Sequence, residues 1–322
     1  MHTEASLAGL QYTLFAPDTQ PVTATLLLLH GMAEHHQRYA AFAQYLTTHG
    51  VAVLAYDQLG HGRTAPTNAE RGFFQLDHPV ERLVQDAAHM ATTLARLFPA
   101  VPHFVLGHSM GSFVVRCLLQ QAGSCFQGAI LMGTAAAVPG ASLARALLSV
   151  LNQLVPRHRT KLLNAFFGWV NNRAFKEPAP NDSLKWLSAN QQNQVAYLQD
   201  PLCGIPFTNN GFYTLLSLMK QATEGPWTSG IPAVLPVLLV SGEDDPVGQF
   251  GQGIRRVAQQ LRQAGFAQVQ QILYPGLRHE ILQEASKQQV YDDVATWISA
   301  RVVQVPPKHE GERTNNWCHL RP

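Results

Sequence analysis

Six short apolar runs, each closing on a turn rich in Gly, His or Asp, constrain this chain more than any other feature. Residues 25–29 (TLLLL), 51–56 (VAVLAY), 104–106 (FVL) and 129–132 (AILM) lead into HGMAEHH, DQLGHGRT, GHSMG and GTAAA. Two later runs, 237–240 (VLLV) and 270–274 (QQILY), lead into SGEDDP and PGLRHE. Short unbroken apolar runs read as strands buried on both faces, and their alternation with helical stretches reads as βαβ units of a mostly parallel sheet. Ligands bind outside the carboxyl ends of such strands, so these turns are expected to converge on one rim.

A chain of 322 residues accommodates one large α/β domain with an insertion. Its 46% apolar content is ordinary, while 14% charged residues lies below the usual value of about 25%. A formal charge of +2 with no long basic block excludes a nucleic-acid partner. Cys117, Cys125, Cys203 and Cys318 form no CxxC pair and no dense array, which indicates neither a zinc knuckle nor a disulfide framework and fits a reducing compartment. The first residues lack a basic segment followed by an apolar one, and no run approaches the ~18 apolar residues of a membrane span. A soluble, cytoplasmic protein is expected.

Between about Ala135 and Gly230 the strand rhythm stops. Leu143, Leu147, Leu151 and Leu154 recur at helical spacing, and Phe166, Phe167, Trp169 and Val170 follow in a second helical stretch. Apolar stripes of this kind usually pack on one another as a small bundle; their place just beyond the rim favours a cap that supplies an apolar pocket. The expected organisation is a first core segment over 1–134, a helical cap insertion over 135–230, a second core segment over 231–305, and a polar, proline-led tail over 306–322 that is expected to be poorly ordered.

Gly107-His108-Ser109-Met110-Gly111 lies between the FVL run and the helical stretch SFVVRCLLQQ. G-x-S-x-G is short enough to occur by chance, but the strand, tight turn and helix around it are the context in which it forms the nucleophile elbow of an α/β-hydrolase. The glycines let the chain turn sharply and expose Ser109, while the following helix places the Met110 amide near developing negative charge. Serine attacks only when a neighbouring base takes its proton, so a histidine oriented by a carboxylate is required. The fold's chain order of Ser, acid, His selects His279, in YPGLRHE, among 14 histidines. The turn VLLVSGEDDP offers Glu243, Asp244 and Asp245; Asp245 is preferred because such turns run Gly-x-x-Asp from Gly242, with Asp244 as the alternative. A second oxyanion donor is expected from the turn after TLLLL, where Gly31 allows close approach and Met32 offers its amide.

His30, His35 and His36 cluster in sequence. With no nearby cysteine and only Glu34 as a carboxylate, they argue against a metal site, and no cofactor is expected. Glu34 and Arg38, four apart, can pair on a helical turn. Asp57-Gln58-Leu59-Gly60-His61-Gly62 reads as a structural turn with no chemical step.

Together HGMAEHHQRY, YDQLGHGRT, GHSMGS, SGEDDPVG and YPGLRHEIL resemble the monoacylglycerol lipase and lysophospholipase branch of the α/β-hydrolases, a serine aminopeptidase-like family, and its bacterial members most of all. The similarity spans roughly residues 24–134 and 233–298. It implies Ser109 as nucleophile, Asp245 as acid, His279 as base, and Met32 with Met110 as oxyanion donors. Thr64 departs conservatively from the serine that usually ends the DxxGHGxS segment. The implied activity is hydrolysis of small lipid esters, monoacylglycerols or lysophospholipids, without cofactor or metal; proline-type aminopeptidase and perhydrolase activity are alternatives on the same triad, and a non-catalytic binding module would need a triad member to be missing. The resemblance is weakest over the cap, where the basic cluster Arg157, His158, Arg159 and Lys161 is either a solvated helix end or a phosphate contact, and peripheral membrane contact through the cap stays open.

Overall fold

The computed structural model describes residues 2–138, 140–177 and 182–302. The tail expected over 306–322 lies outside them. Eight strands form one sheet: β1 (His2–Leu7), β2 (Leu10–Phe15), β3 (Ala24–Leu29), β4 (Val51–Tyr56), β5 (His103–His108), β6 (Gly128–Met132), β7 (Val237–Gly242) and β8 (Val269–Tyr274). Their spatial order is β1-β2-β4-β3-β5-β6-β7-β8, antiparallel at the β1-β2 and β2-β4 pairings and parallel throughout the rest. Strands β3 to β8 coincide with the six runs, β4 without change and the others extended by one to three residues. The β1-β2 hairpin is an addition: β1 is a largely exposed edge of mixed composition, and its pairing depends on a turn in which Ala8 and Gly9 both adopt left-handed backbone (φ 51° and 85°).

Continuous apolar runs follow from covering the sheet on both sides. Every residue of β3, β4, β5, β6 and β7 is buried. Alternate side chains face opposite cores. Leu27, Leu29, Leu54, Val105, Leu131 and Leu239 pack with α2 (Pro79–Leu97), α3 (Met110–Ala122) and α8 (Gln252–Gln263). Leu26, Leu28, Val53, Phe104, Leu106, Ile130, Leu238 and Val240 pack with α1 (Ala40–Thr47) and α9 (Lys287–Val302). No helix among the described residues is long and apolar enough to cross a membrane.

Between β6 and β7 the chain runs through α4 (Ala141–Leu154), α5 (Lys161–Asn172), α6 (Gln191–Gln199) and α7 (Asn209–Thr223). Helix α7 seats Phe212, Leu215, Leu218 and Ala222 in the same core as α2 and α3, and α4 packs on α7. Helices α4 and α5 bury very little: within α4 only Leu148 is fully covered, and within α5 only Asn171.

Candidate active site

Ser109 occupies the one-residue junction between β5 and α3. Its backbone is left-handed (φ 53°, ψ −119°), a conformation that costs a side-chain-bearing residue about 1–3 kcal/mol and persists only when the surroundings enforce it. They do so here. The Ser109 amide donates to the Met132 carbonyl at 2.9 Å, and the Ser112 amide and hydroxyl return to the Ser109 carbonyl at 2.9 and 2.6 Å. The flanking glycines serve a different purpose from the one their turn-forming habit suggests. Neither Gly107 nor Gly111 has positive φ; a Cβ on Gly107 would lie 2.3 Å from the Gly111 carbonyl oxygen, and one on Gly111 would lie 2.4 Å from that of Leu29. They are small so that strand and helix can touch, while the serine itself takes the strained angle.

His279 and Asp245 meet from the turns after β8 and β7. His279 Nδ1 and Asp245 Oδ2 are 2.9 Å apart, with both side chains essentially buried. Ser241 Oγ donates to the same carboxylate oxygen at 3.0 Å, and the Val247 amide donates to Oδ1 at 2.9 Å, so the carboxylate cannot rotate away. Asp244 is exposed and points elsewhere, its amide bonded to the Leu277 carbonyl. Of the two carboxylates the sequence left open, Asp245 is thus the one held on His279.

The end of β6 joins serine to histidine. Met132 anchors the Ser109 amide, and a Cβ on its neighbour Gly133 would come 3.1 Å from His279 Cε1. On the other side the turn after β3 presses on the elbow, since a Cβ on Gly31 would lie 3.1 Å from Ser109 Cβ and 2.7 Å from Glu34 Oε1. That turn is fixed by the Gly31 amide donating to Glu34 Oε1 at 2.6 Å. Met32 stands next in the chain, half-buried, and Met110 begins α3.

Beneath the rim lies a buried ionic network of which the sequence showed only one edge. Arg38 pairs with Glu34 (2.9 Å), as the spacing predicts, and also with Glu280, whose Oε2 it meets at 2.7 Å. Glu34 Oε1 further accepts from the Tyr39 hydroxyl at 2.8 Å and lies 3.1 Å from His108 Nδ1. Burial alone would raise the Glu34 pKa, but the His108 hydrogen bond and the Arg38 charge hold it well below the ordinary carboxylate value. Burial alone would lower that of His108, and Glu34 reverses it, so the net shift is upward. His108 Nε2 lies 3.2 Å from the His279 carbonyl oxygen, to which it can only donate. The network therefore supports both the turn at Gly31 and the backbone of His279. Glu280 and Trp186 are residues that sequence reading missed. The Trp186 ring lies 5.0 Å from the His279 ring, a contact between segments far apart in the chain.

The three sequence-adjacent histidines diverge. His30 Nε2 accepts the Gln58 amide at 3.0 Å while Nδ1 donates to the Gly31 carbonyl at 2.7 Å, which defines a neutral ring; burial lowers its pKa accordingly. His36 is held by Asp57 (2.7 Å) and Thr13 (2.9 Å), and His35 by Asp200 (2.8 Å). Asp57 also caps Arg63, and Gly62 approaches it too closely for any Cβ, so this turn is structural. Of the basic cluster, Arg157 donates to the Ala69 carbonyl and stacks over Phe73, and Arg159 donates to the carbonyls of Asn68 and Arg71. Each guanidinium thus has part of its donor set engaged by backbone.

Nothing in an open α/β sheet obliges a serine to adopt left-handed backbone at the end of a strand; the α/β-hydrolases do so because it lifts the hydroxyl clear of the sheet, and the protein is of that class. Residues 20–286 match the family described as serine aminopeptidase, S33, and the chain belongs to it. It is 28% identical to the monoacylglycerol lipase of Mycolicibacterium smegmatis, over 92% of this chain and 96% of that one. It is 26% identical to the monoglyceride lipase homolog of Monkeypox virus, over 88% and 93% of the two chains. Among solved structures, a thermostable carboxyl esterase from Bacillus coagulans in complex with glycerol superposes with a TM-score of 0.86 at 25% identity, covering 94% of this chain and 99% of that one.

Proposed function

We propose that this carboxylic ester hydrolase cleaves monoacylglycerols through an acyl-enzyme, with Ser109 as nucleophile, His279 as general base and Asp245 as the group that orients it. The observation that carries the reading is the strained Ser109 backbone anchored to the same strand end that touches the ring of His279, itself held by a buried carboxylate. In the first half-reaction His279 Nε2 takes the Ser109 proton as Oγ bonds to the ester carbonyl carbon; the amides of Met32 and Met110 receive the oxyanion, each such donor being worth about 10²–10³ in rate. His279 then passes the proton to the departing glycerol oxygen, and water repeats the sequence to release the fatty acid.

The segment over 135–230 serves in this reading as a cap on the rim. Trp186 against His279, the Leu187 carbonyl accepting the Glu280 amide at 2.8 Å, and the Tyr197 hydroxyl donating to the Ala33 carbonyl at 2.8 Å support it. A monoacylglycerol is favoured over a lysophospholipid because the relatives that the chain matches along most of its length are a monoacylglycerol lipase and a monoglyceride lipase homolog. The exposed stripes Leu143, Leu147, Val150 and Leu154 on α4 and Leu162, Phe166 and Trp169 on α5 fit contact with the lipid surface that supplies such a substrate.

Ser109→Ala is expected to lower monoacylglycerol and nitrophenyl-ester hydrolysis by at least about 10⁴-fold and to abolish fluorophosphonate labelling while leaving the circular dichroism spectrum unchanged; retained turnover would overturn the assignment. Asp245→Asn is expected to lower kcat by about 10⁴-fold, whereas Asp244→Asn leaves it near wild type. A panel of monoacylglycerols, lysophospholipids and peptide amides fixes the substrate class, and faster cleavage of the peptides would replace the lipase reading with an aminopeptidase.

A further inference from the structure

His35 leaves the histidine-rich turn after β3 and meets a second segment of the chain, the turn after α6. There its Nε2 lies 2.8 Å from Asp200 Oδ2, and Cys203 completes a group whose donor atoms all lie within 4.8 Å of one another. We propose that His35 Nε2, Asp200 Oδ2 and Cys203 Sγ form a binding site for a zinc-class divalent cation that ties the turn after β3 to the inserted helices.

The donor set decides the kind of ion. One imidazole, one carboxylate and one thiolate are the ligands of Zn²⁺ and its softer analogue Cd²⁺, whereas Mg²⁺ and Ca²⁺ require oxygen donors throughout. Three protein ligands leave a fourth tetrahedral position for water. The site is accessible: the Asp200 side chain keeps 30% of its surface in solvent, and Cys203 is half-buried with a free thiol.

Its framework is already in place. The Leu202 amide donates to Asp200 Oδ1 at 2.8 Å, which leaves Oδ2 directed at His35, and the Cys203 amide donates to the Asp200 carbonyl at 3.0 Å. The Gly204 amide and the Tyr197 hydroxyl both donate to the Ala33 carbonyl, at 2.9 and 2.8 Å, holding the two turns together from outside the donor group. The nearby cation, Arg38, is neutralised by Glu34 and Glu280 and stacked over the Tyr197 ring, so it does not expel a second positive ion.

Binding balances simply. Cys203 releases its proton to solvent and donates a sulfur electron pair to the metal; Asp200 is already a carboxylate; the proton that His35 Nε2 donates to Asp200 in the metal-free protein moves to Nδ1, so that Nε2 offers its lone pair to the ion. Ion plus ligands carry no net charge, and one proton leaves for each ion bound. Because the thiol must lose its proton to bind, affinity increases with pH. An ion here staples the two turns and raises the melting temperature by mass action. The Met32 amide lies three residues from one of its ligands.

The test is a titration of the intact protein with CdCl₂, followed by the ultraviolet thiolate-to-cadmium band, with ZnCl₂ as competitor. One equivalent is expected to produce the band, ZnCl₂ to abolish it, MgCl₂ to leave it unchanged, and ZnCl₂ to raise the wild-type melting temperature. Cys203→Ser should eliminate the band, and Asp200→Asn and His35→Gln should each weaken cadmium by at least about tenfold. A band that survives Cys203→Ser, or equal affinity in Asp200→Asn and His35→Gln, overturns the proposal, the latter because it means binding by a thiol alone. Metal-free melting of each variant reports its folding, and failure of equilibrium dialysis to load zinc onto the wild type overturns the proposal independently of the variants.

Discussion

Helix α8 buries Ile254, Val257, Ala258 and Leu261 against the sheet, while α4, patterned just as regularly, leaves Leu143, Leu147, Val150 and Leu154 between 54% and 73% exposed. Burial of an aliphatic side chain stabilises a fold by about 1.5–3 kcal/mol, so one helix draws its stability from its stripe and the other forgoes it. The difference follows from position. Helix α8 connects two adjacent parallel strands and must return across the sheet, whereas α4 belongs to an insertion that leaves the rim and touches the core mainly through α7. An amphipathic pattern thus specifies that a helix has an apolar face, but not what covers it.

The largest effect that could break this contrast is at Leu261. Leu261→Ala is expected to lower the unfolding free energy by about 2–5 kcal/mol in urea titrations; a loss below ~1 kcal/mol would show that the α8 stripe is no more committed than that of α4. Next is the double variant Leu147→Ser with Leu154→Ser. Its partitioning onto neutral phospholipid vesicles should weaken by roughly tenfold or more, while its unfolding free energy stays within about 0.5 kcal/mol of wild type. Unchanged partitioning would remove the lipid-surface role from these residues.

The smallest effect concerns acid, which should act on the core side, where the buried titrating groups lie. Burial, reinforced by His30, lowers the His61 pKa from 6.5 to about 3. Burial would raise that of Asp57, but the hydrogen bond and charge of His36 prevail and bring it from 3.8 to about 2. In both cases the unfolded chain takes up its proton first as pH falls. The His61 contribution is complete above pH 6.5 and lost toward about 3; the Asp57 contribution is complete above 3.8 and lost toward about 2. His108 acts in reverse, stabilising below its ordinary 6.5 and losing that contribution as pH rises through its raised value. Stability measured between pH 7 and 5 should fall with acid in the wild type, and His61→Phe should flatten the slope by no more than about 1.4 kcal/mol per pH unit. An unchanged slope would mean that His61 does not titrate with unfolding.

Much of the fold was legible because its signals are local. A buried parallel strand must be apolar along its whole length, so the runs over β3 to β7 marked those strands directly, and the elbow is contained in five residues; β8, an edge strand with only Tyr274 buried, was marked by its Ile272-Leu273-Tyr274 end and the turn after it. The hairpin β1-β2 was not legible, since an exposed edge strand needs no apolar pattern and its register is set by the Ala8-Gly9 turn. Sequence placed the elbow glycines beside an exposed serine, but only the approach of α3 to β5 and β3 shows that what the site uses is their missing Cβ.

The sequence by itself determined a parallel α/β sheet interrupted by helices and a serine at a strand end, because each is encoded by neighbours a few residues apart; the acid and the histidine it offered only through the chain order of the fold class. Tertiary structure alone decided that Asp245 and not Asp244 holds His279, that Trp186 lies against that ring, that Glu280 joins Glu34 and Arg38, and that His35 meets Asp200 and Cys203. His35 and Asp200 stand 165 residues apart. No local pattern carries such a contact, since it exists only once the sheet has set the turns beside one another and the insertion has folded back onto them.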